Sequence, residues 1–303
     1  MQRLDLKTGF ACNSRCRFCV QGDKRSRILD RSTAELLASL QSRRGDCDEV
    51  VFTGGEVTLR KDLTELVREA RALGYRTIQI QTNGRLLSRM DRVDALLEAG
   101  ATEFSPALHG VDSATHDGLT GARGSFRQSL RGIVNLRRRG ARVCTNTVVV
   151  RDNMEQLPEL ARLFVELDVQ QFQLAFVHAL GSAATNFEAV VPRYRDLQPW
   201  LHRALSIGRL AGLRCMTEAV PYCWMHGWED HVAERGMPDL SIVEPDRQLP
   251  SYTDWRKQDG KAQGPPCRAC TWSAVCEGPW CEYPARFGWD EFRTRQDPPF
   301  AAT

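Results

Sequence analysis

Apolar and polar positions alternate along this chain with two different periods. Short runs rich in Val, Ile, Phe and Thr predict strands at about 4–10, 49–53, 76–82, 103–108, 142–150 and 171–177. Between them apolar residues recur every three or four positions, which predicts amphipathic helices at about 32–43, 61–73, 87–99, 125–139 and 155–167. Ser32 and Asp62 stand where a helix N-cap accepts from first-turn amides, and Gly74, Gly100 and Gly140 stand just past helix ends, where a left-handed residue is favoured. Such alternation folds as a parallel sheet with right-handed crossovers. Six units within the first 190 residues are too few for a complete eight-fold barrel, which leaves an open partial barrel or a doubly wound sheet. The pattern degrades after about residue 185. One more helix is predicted at about 194–211, and beyond it Pro, Gly, Trp and Cys accumulate. A segment so poor in apolar periodicity is expected to need a metal centre as a staple.

Composition narrows the partners. The 303 residues, 42% apolar and 26% charged, suit one large domain plus a small one. A net charge of +3 gives no electrostatic case for nucleic-acid binding. The one compact basic run, Arg137 to Arg139, ends a predicted helix and reads as a solvated helix end favoured by the dipole. No apolar stretch reaches the ~18 residues of a membrane span and no secretory h-region is present, so a cytoplasmic protein without a membrane partner is expected. Eleven cysteines in that setting point to metal ligation rather than disulfides.

Three of those cysteines, Cys12, Cys16 and Cys19, follow the first predicted strand in a single short loop. Thiolates so spaced can wrap one metal centre, and a cubane iron–sulfur cluster held by three of them keeps one iron open, as a catalytic site requires. The alternatives are a zinc loop or inert buried thiols, but no His lies between Met1 and Asp91 to supply a local fourth ligand. The next strand ends predict further loops: Gly54-Gly55-Glu56, Thr82-Asn83-Gly84, and Ser105 to Gly110 with His109. Each is also explained by an ordinary turn or, for His109, by a hydrogen-bonded structural histidine. Asn146, on the fifth strand, points away from Thr145 and Thr147. Asp112, His116 and Asp117 begin a helix, where acids favour the amino end, and are not read as a metal cluster. The tail adds Cys267-x2-Cys270-x5-Cys276, then Cys281, with Cys223 upstream. A structural zinc is the alternative occupant of these thiols.

The N-terminal cysteine run, with Phe18 before its third thiol, resembles the signature of radical S-adenosylmethionine (SAM) enzymes. The resemblance implies a partial (β/α)6 TIM-like barrel over 1–190 and a small C-terminal iron–sulfur subdomain, of the twitch/SPASM type, over 191–303. It implies that Cys12, Cys16 and Cys19 hold a 4Fe-4S cluster whose free iron binds SAM. Gly54, Gly55 and Glu56 resemble the segment that receives the SAM amino group, although Val57 replaces the usual proline. Thr82, Asn83, Ser105 and Asn146 fall where the family contacts SAM or substrate, and Phe18 fits the cluster motif. The tail spacing resembles an auxiliary iron–sulfur cluster site. Trp280 takes the place of the usual fourth cysteine, with Cys281 one residue later, so Cys223, Cys267, Cys270 and Cys276 are the favoured ligands of one auxiliary cluster. The six tail cysteines are too few for two such clusters.

The activity so implied is reductive cleavage of SAM to a 5′-deoxyadenosyl radical that abstracts hydrogen from substrate, with an electron donor such as flavodoxin or ferredoxin. The expected substrate is a ribosomally made peptide to be crosslinked, epimerised or oxidised. The alternatives are a small molecule such as an aminocyclitol, sugar or nucleotide, or a zinc-stabilised protein without enzymatic activity. The first strand begins by residue 4, which leaves no room for a preceding peptide-recognition domain and weakens the peptide reading, though such a domain can be a separate protein. No catalytic side chain is assigned.

Overall fold

The computed structural model describes residues 2–22 and 24–300. Its strands are β1 (Gln2–Lys7), β2 (Cys47–Thr53), β3 (Thr77–Thr82), β4 (Glu103–Pro106), β5 (Arg142–Val149), β6 (Gln171–Phe176), β7 (Arg214–Glu218), β8 (Leu240–Val243) and β9 (Gln248–Leu249). The helices of eight residues or more are α1 (Thr33–Arg43), α2 (Leu63–Ala72), α3 (Met90–Ala99), α4 (Ser113–Thr120), α5 (Ser125–Arg138), α6 (Leu157–Glu166) and α7 (Tyr194–Leu210). The strands form one sheet in the order β7-β6-β5-β4-β3-β2-β1-β8-β9, parallel throughout except where β9 returns along β8. Its edges stay unpaired with each other, and the fold is the partial α/β barrel rather than the doubly wound sheet.

Alternation along each strand sorts the side chains. Leu4, Leu6, Phe52, Ile80, Phe104 and Phe172 are fully buried in the core between sheet and helices, each stabilising the fold by roughly 1.5–3 kcal/mol. The intervening residues, among them Asp5, Lys7, Asn146, Gln173 and Glu218, keep partial exposure and face the barrel interior. The predicted Ser32 cap is a full capping box with Glu35. Asp62 differs: it stands at the N-cap of α2 but makes no side-chain cap, because its carboxylate is taken by Arg60 and Thr33. Gly74, Gly100 and Gly140 have φ of 84°, 112° and 69°, as their position past helix ends requires. Arg137 and Arg139 at the end of α5 pair with Asp168 and Asp94.

Two corrections concern the C-terminal third. The sheet does not stop at β6, since β7 extends it beyond β6 and β8 pairs with β1. Neither was predicted, because the β7 residues Arg214 to Glu218 include one Cys, one Met and no β-branched apolar residue, and β8 is only four residues long. The tail also carries buried apolar residues that join the main core. Trp272, Trp280, Tyr283 and Phe292 are all nearly inaccessible, and Tyr283 meets Phe176 edge-on at 5.7 Å and Tyr194 at 4.7 Å. Those rings dock the tail onto the end of β6 and the start of α7. No helix among the described residues is long and apolar enough to cross a membrane.

Candidate active site at the strand ends

Parallel strands deliver their following loops to one end of the sheet, which is where barrels of this kind carry function. The loop after β1 holds Cys12, Cys16 and Cys19. Burial, followed by the neighbouring Cys19 and Cys12 thiols, pushes the Cys16 thiol up to about 12. The Cys12 thiol is also raised by burial, and its sulfur accepts the Ser14 N–H at 3.4 Å. The three sulfurs therefore lie within electrostatic reach of one another, and Arg25 reaches over them to the Ser14 carbonyl at 2.7 Å.

The Gly54-Gly55 pair lies directly against this loop. Gly55 N–H donates to the Gly9 carbonyl at 2.9 Å and Glu56 N–H to the Ala11 carbonyl at 2.8 Å. A Cβ on Gly55 would stand 2.2 Å from the Ala11 oxygen, and one on Gly54 2.2 Å from the Gly9 oxygen. The glycines were expected to admit a ligand; the close approach they permit here is to the backbone of the cysteine loop.

Glu56 is buried, and its carboxylate is already engaged. Oε1 accepts from the Thr58 N–H at 3.0 Å, the Thr58 hydroxyl at 2.5 Å and the Thr82 hydroxyl at 2.6 Å, while Oε2 accepts the Asn83 N–H at 2.6 Å. The side chain thus ties β2 to β3. Asn83 in turn donates to the Asn13 side chain at 2.6 Å, and Arg85 reaches the Asn13 carbonyl, so the third loop also grips the cysteine loop. Sequence reasoning passed over Asn13 and Arg85, although Asn13 lies inside the cysteine run.

Ser105 and Asn146 sit on the interior of β4 and β5, on adjacent strands. The Asn146 Oδ1 is buried without a partner, whereas its neighbours Thr145 and Thr147 face the core. Phe18 is 5% exposed and meets His109 edge-on at 4.8 Å. His109 is structural: its Nδ1 accepts the Val148 N–H at 3.2 Å, and burial, then the neighbouring His116, lowers it to about 3. His116 accepts the His109 N–H at 3.0 Å, and burial lowers it to about 4. Asp112 and Asp117 cap α4 and the start of α5.

In the tail, Cys223 comes together with Cys267, Cys270 and Cys276. Burial pushes the Cys223 thiol up to about 12, the Arg293 amide opposes this, and the other three thiols add to the rise. Burial raises the Cys276 thiol against the amides of Tyr222 and Gly278, and the Cys270 sulfur accepts the Arg295 N–H at 3.4 Å. The Cys281 thiol is raised by burial and then by Glu282. Both thiol sets fit an iron–sulfur cluster in their chemistry: grouped sulfurs with backbone N–H groups directed at them. Among the described residues no three His, Cys, Asp or Glu side chains close around a single ion.

One more element reaches the same mouth. Beyond β6, the Ser182 N–H donates to the Cys19 carbonyl at 2.9 Å. Just before it, His178 stacks on Trp280 at 3.9 Å and lies 3.4 Å from the Glu282 carboxylate. Burial works to raise Glu282, but the His178 ring, a backbone N–H and the Cys281 thiol together hold the carboxyl low. His178 was not singled out from the sequence. Its signal was its place two residues past the sixth strand.

A sequence model of the Radical SAM superfamily matches residues 6–164. The chain is 32% identical over 155 residues to the AdoMet-dependent heme synthase of Oleidesulfovibrio alaskensis, covering 50% of this chain and 39% of that protein. It is 32% identical over 190 residues to the probable GTP 3',8-cyclase of Saccharolobus solfataricus, covering 62% and 61%. The PqqA peptide cyclase of Bradyrhizobium diazoefficiens is 31% identical over 195 residues, covering 63% and 50%. The matches thus span less than two thirds of each of these relatives. In fold, Streptococcus suis SuiB bound to S-adenosylmethionine aligns with a TM-score of 0.69 at 16% identity, over 96% of this chain and 76% of that one. Native anSMEcpe with bound AdoMet and Cp18Cys peptide aligns with a TM-score of 0.66 at 15% identity, over 97% and 92%.

Proposed function

The chain belongs to the radical SAM superfamily, whose members use a 4Fe-4S cluster and SAM, and from that premise we propose that it is a radical SAM enzyme acting on a peptide. When bound, cluster and SAM supply a 5′-deoxyadenosyl radical, formed by reductive SAM cleavage, that abstracts hydrogen from substrate. The observation that carries this reading is the grouping of Cys12, Cys16 and Cys19 on the β1 loop, clamped by Gly54-Gly55 and by Asn83 and Arg85. In it, those three cysteines hold the cluster. Glu56 fixes the second and third loops as the floor of the SAM site, and Ser105 and Asn146 offer polar contacts from β4 and β5.

Cys223, Cys267, Cys270 and Cys276 hold one auxiliary cluster in a twitch-like region. The same four thiols would also suit a structural zinc, and iron and sulfide content separates the two.

The peptide reading is supported by the similarity to a PqqA peptide cyclase. A small-molecule substrate is the second reading, favoured by the similarity to probable GTP cyclases. Protein purified without oxygen should contain iron and sulfide at both sites and release 5′-deoxyadenosine from SAM under a low-potential reductant. Zinc without sulfide, and no SAM cleavage, would replace both readings by a zinc-stabilised protein. The substrates separate by mass spectrometry of a candidate precursor peptide and of cell extract after reaction.

A further inference from the structure

A carboxyl group on the interior of the barrel has no counter-ion. Glu218 ends β7, beside Ala175 of β6. Near it lies a balanced ion network. Lys261 pairs with Glu234 and, at 3.0 Å, with Glu277; Arg256 holds Glu277 at 2.8 and 3.0 Å. Two cations and two carboxylates are thereby satisfied, and Glu218 is left as a fifth group. Gln173 donates to it at 2.6 Å, and among the described residues no Lys, Arg or His pairs with it. Burial raises the Glu218 carboxyl, Glu234 adds to the rise, and Lys261 and Arg256 offset only part of it. Glu218 and Gln173 nevertheless each keep part of their surface exposed.

Unused acceptors surround it. The Glu234 Oε2 has no partner, although that side chain is only 7% exposed. The orphaned Asn146 Oδ1 belongs to the residue paired with Gln173 across β5 and β6. The backbone aims the site: Ala219, directly after Glu218, holds φ at 58°, a conformation uncommon for a residue with a Cβ. Glu234 accepts its N–H at 2.7 Å and the Tyr194 hydroxyl donates to its carbonyl at 2.9 Å, which holds the turn. Tyr252 lies within electrostatic reach of both Glu218 on β7 and Asp5 on β1, but its ring is already covered by the Arg256 guanidinium at 4.9 Å. A carboxylate with spare acceptors suits a compact cation and repels an anion.

We propose that the interior around Glu218, Gln173 and Asn146 is a substrate subsite for a primary ammonium group, which pairs with the Glu218 carboxylate. The proposal rests on the reading of the strand ends as a radical SAM active site and adds a substrate class to it. A lysine side chain in a peptide and an aminocyclitol both carry that group.

The test uses the full chain with its clusters loaded, saturating SAM and no reductant. Calorimetry compares acetyl-Gly-Lys-Gly-amide with its norleucine counterpart, and 2-deoxystreptamine with myo-inositol. One amine probe should bind about 10- to 100-fold tighter than its neutral partner, and the probe that does so identifies the source. Glu218→Gln should bring that ratio close to one. Ala175→Leu, which fills the interior without touching charge, should weaken the same probe and serves alone if Glu218→Gln does not fold. Failure of both amines to bind, a preference that survives Glu218→Gln, or binding untouched by Ala175→Leu would overturn the subsite. Release of 5′-deoxyadenosine by the reduced wild-type protein is read separately. Its absence alongside a normal amine preference would remove the functional reading and leave the subsite standing.

Discussion

The carboxylate of Glu56 accepts the main-chain N–H of Asn83 at 2.6 Å, and this one bond joins the loops that follow the second and third strands. With Thr58 and Thr82 on its other oxygen, Glu56 is a buried organiser of the site. Glu56→Ala would leave the Thr58 and Asn83 amides and the Thr82 hydroxyl without their acceptor. A loss of about 2–4 kcal/mol is expected in urea unfolding, together with weaker SAM binding. Weaker SAM binding at unchanged stability would instead assign the carboxylate to the SAM ammonium.

Gly55→Ala should disturb the cysteine loop selectively. Its Cβ would meet the Ala11 carbonyl oxygen at 2.2 Å and that of Phe10 at 2.5 Å, and neither backbone atom can rotate away. Iron content should fall by about one cluster, while Cys223, Cys267, Cys270 and Cys276 keep theirs. Full iron loading with normal SAM cleavage would show that the loop absorbs a methyl group.

The tail thiols offer a paired comparison. Cys223→Ala removes a thiol that acts on Cys276, Cys267 and Cys270, and should lower iron by about one cluster. Cys281→Ala should leave iron unchanged, since that thiol faces Glu282. The buried Trp272, Trp280 and Tyr283 should hold the tail against protease even in Cys223→Ala. The reverse pattern of iron loss would make Cys281 the fourth ligand.

Stability should fall between about pH 6.5 and 4 because of two buried histidines. His109 and His116 are held to about 3 and about 4, below the ordinary value near 6.5, so in that window the unfolded chain binds protons that the folded chain refuses. Each contributes a slope of up to about 1.4 kcal/mol per pH unit, with stability rising as pH rises. His116→Gln should remove one such share of the slope in denaturant titrations at several pH values. An unchanged slope would mean that His116 charges freely in the folded protein.

Much of this protein follows from sequence periodicity and spacing. Each half-buried strand and amphipathic helix encodes its own buried face, so β1 to β6 and their helices were legible, as were the glycines past helix ends. The cysteine run was legible for the same reason: three thiols within eight residues meet whatever the rest of the chain does. The later strands were not, because β7 and β8 owe their pairing to β6 and β1, hundreds of ångströms of extended chain away in β8's case. Only the tertiary structure could bring His178 to Trp280, because that meeting depends on how the tail docks, while the grouping of Cys223 with Cys267 was expected from the family resemblance and not from spacing. It alone decided what Glu56 does as well. The residue's place after two glycines marks it as part of a site, but the partners of a buried carboxylate are set by neighbouring strands, here Thr82 and Asn83. Local spacing determines which groups can act together; packing determines what each of them faces.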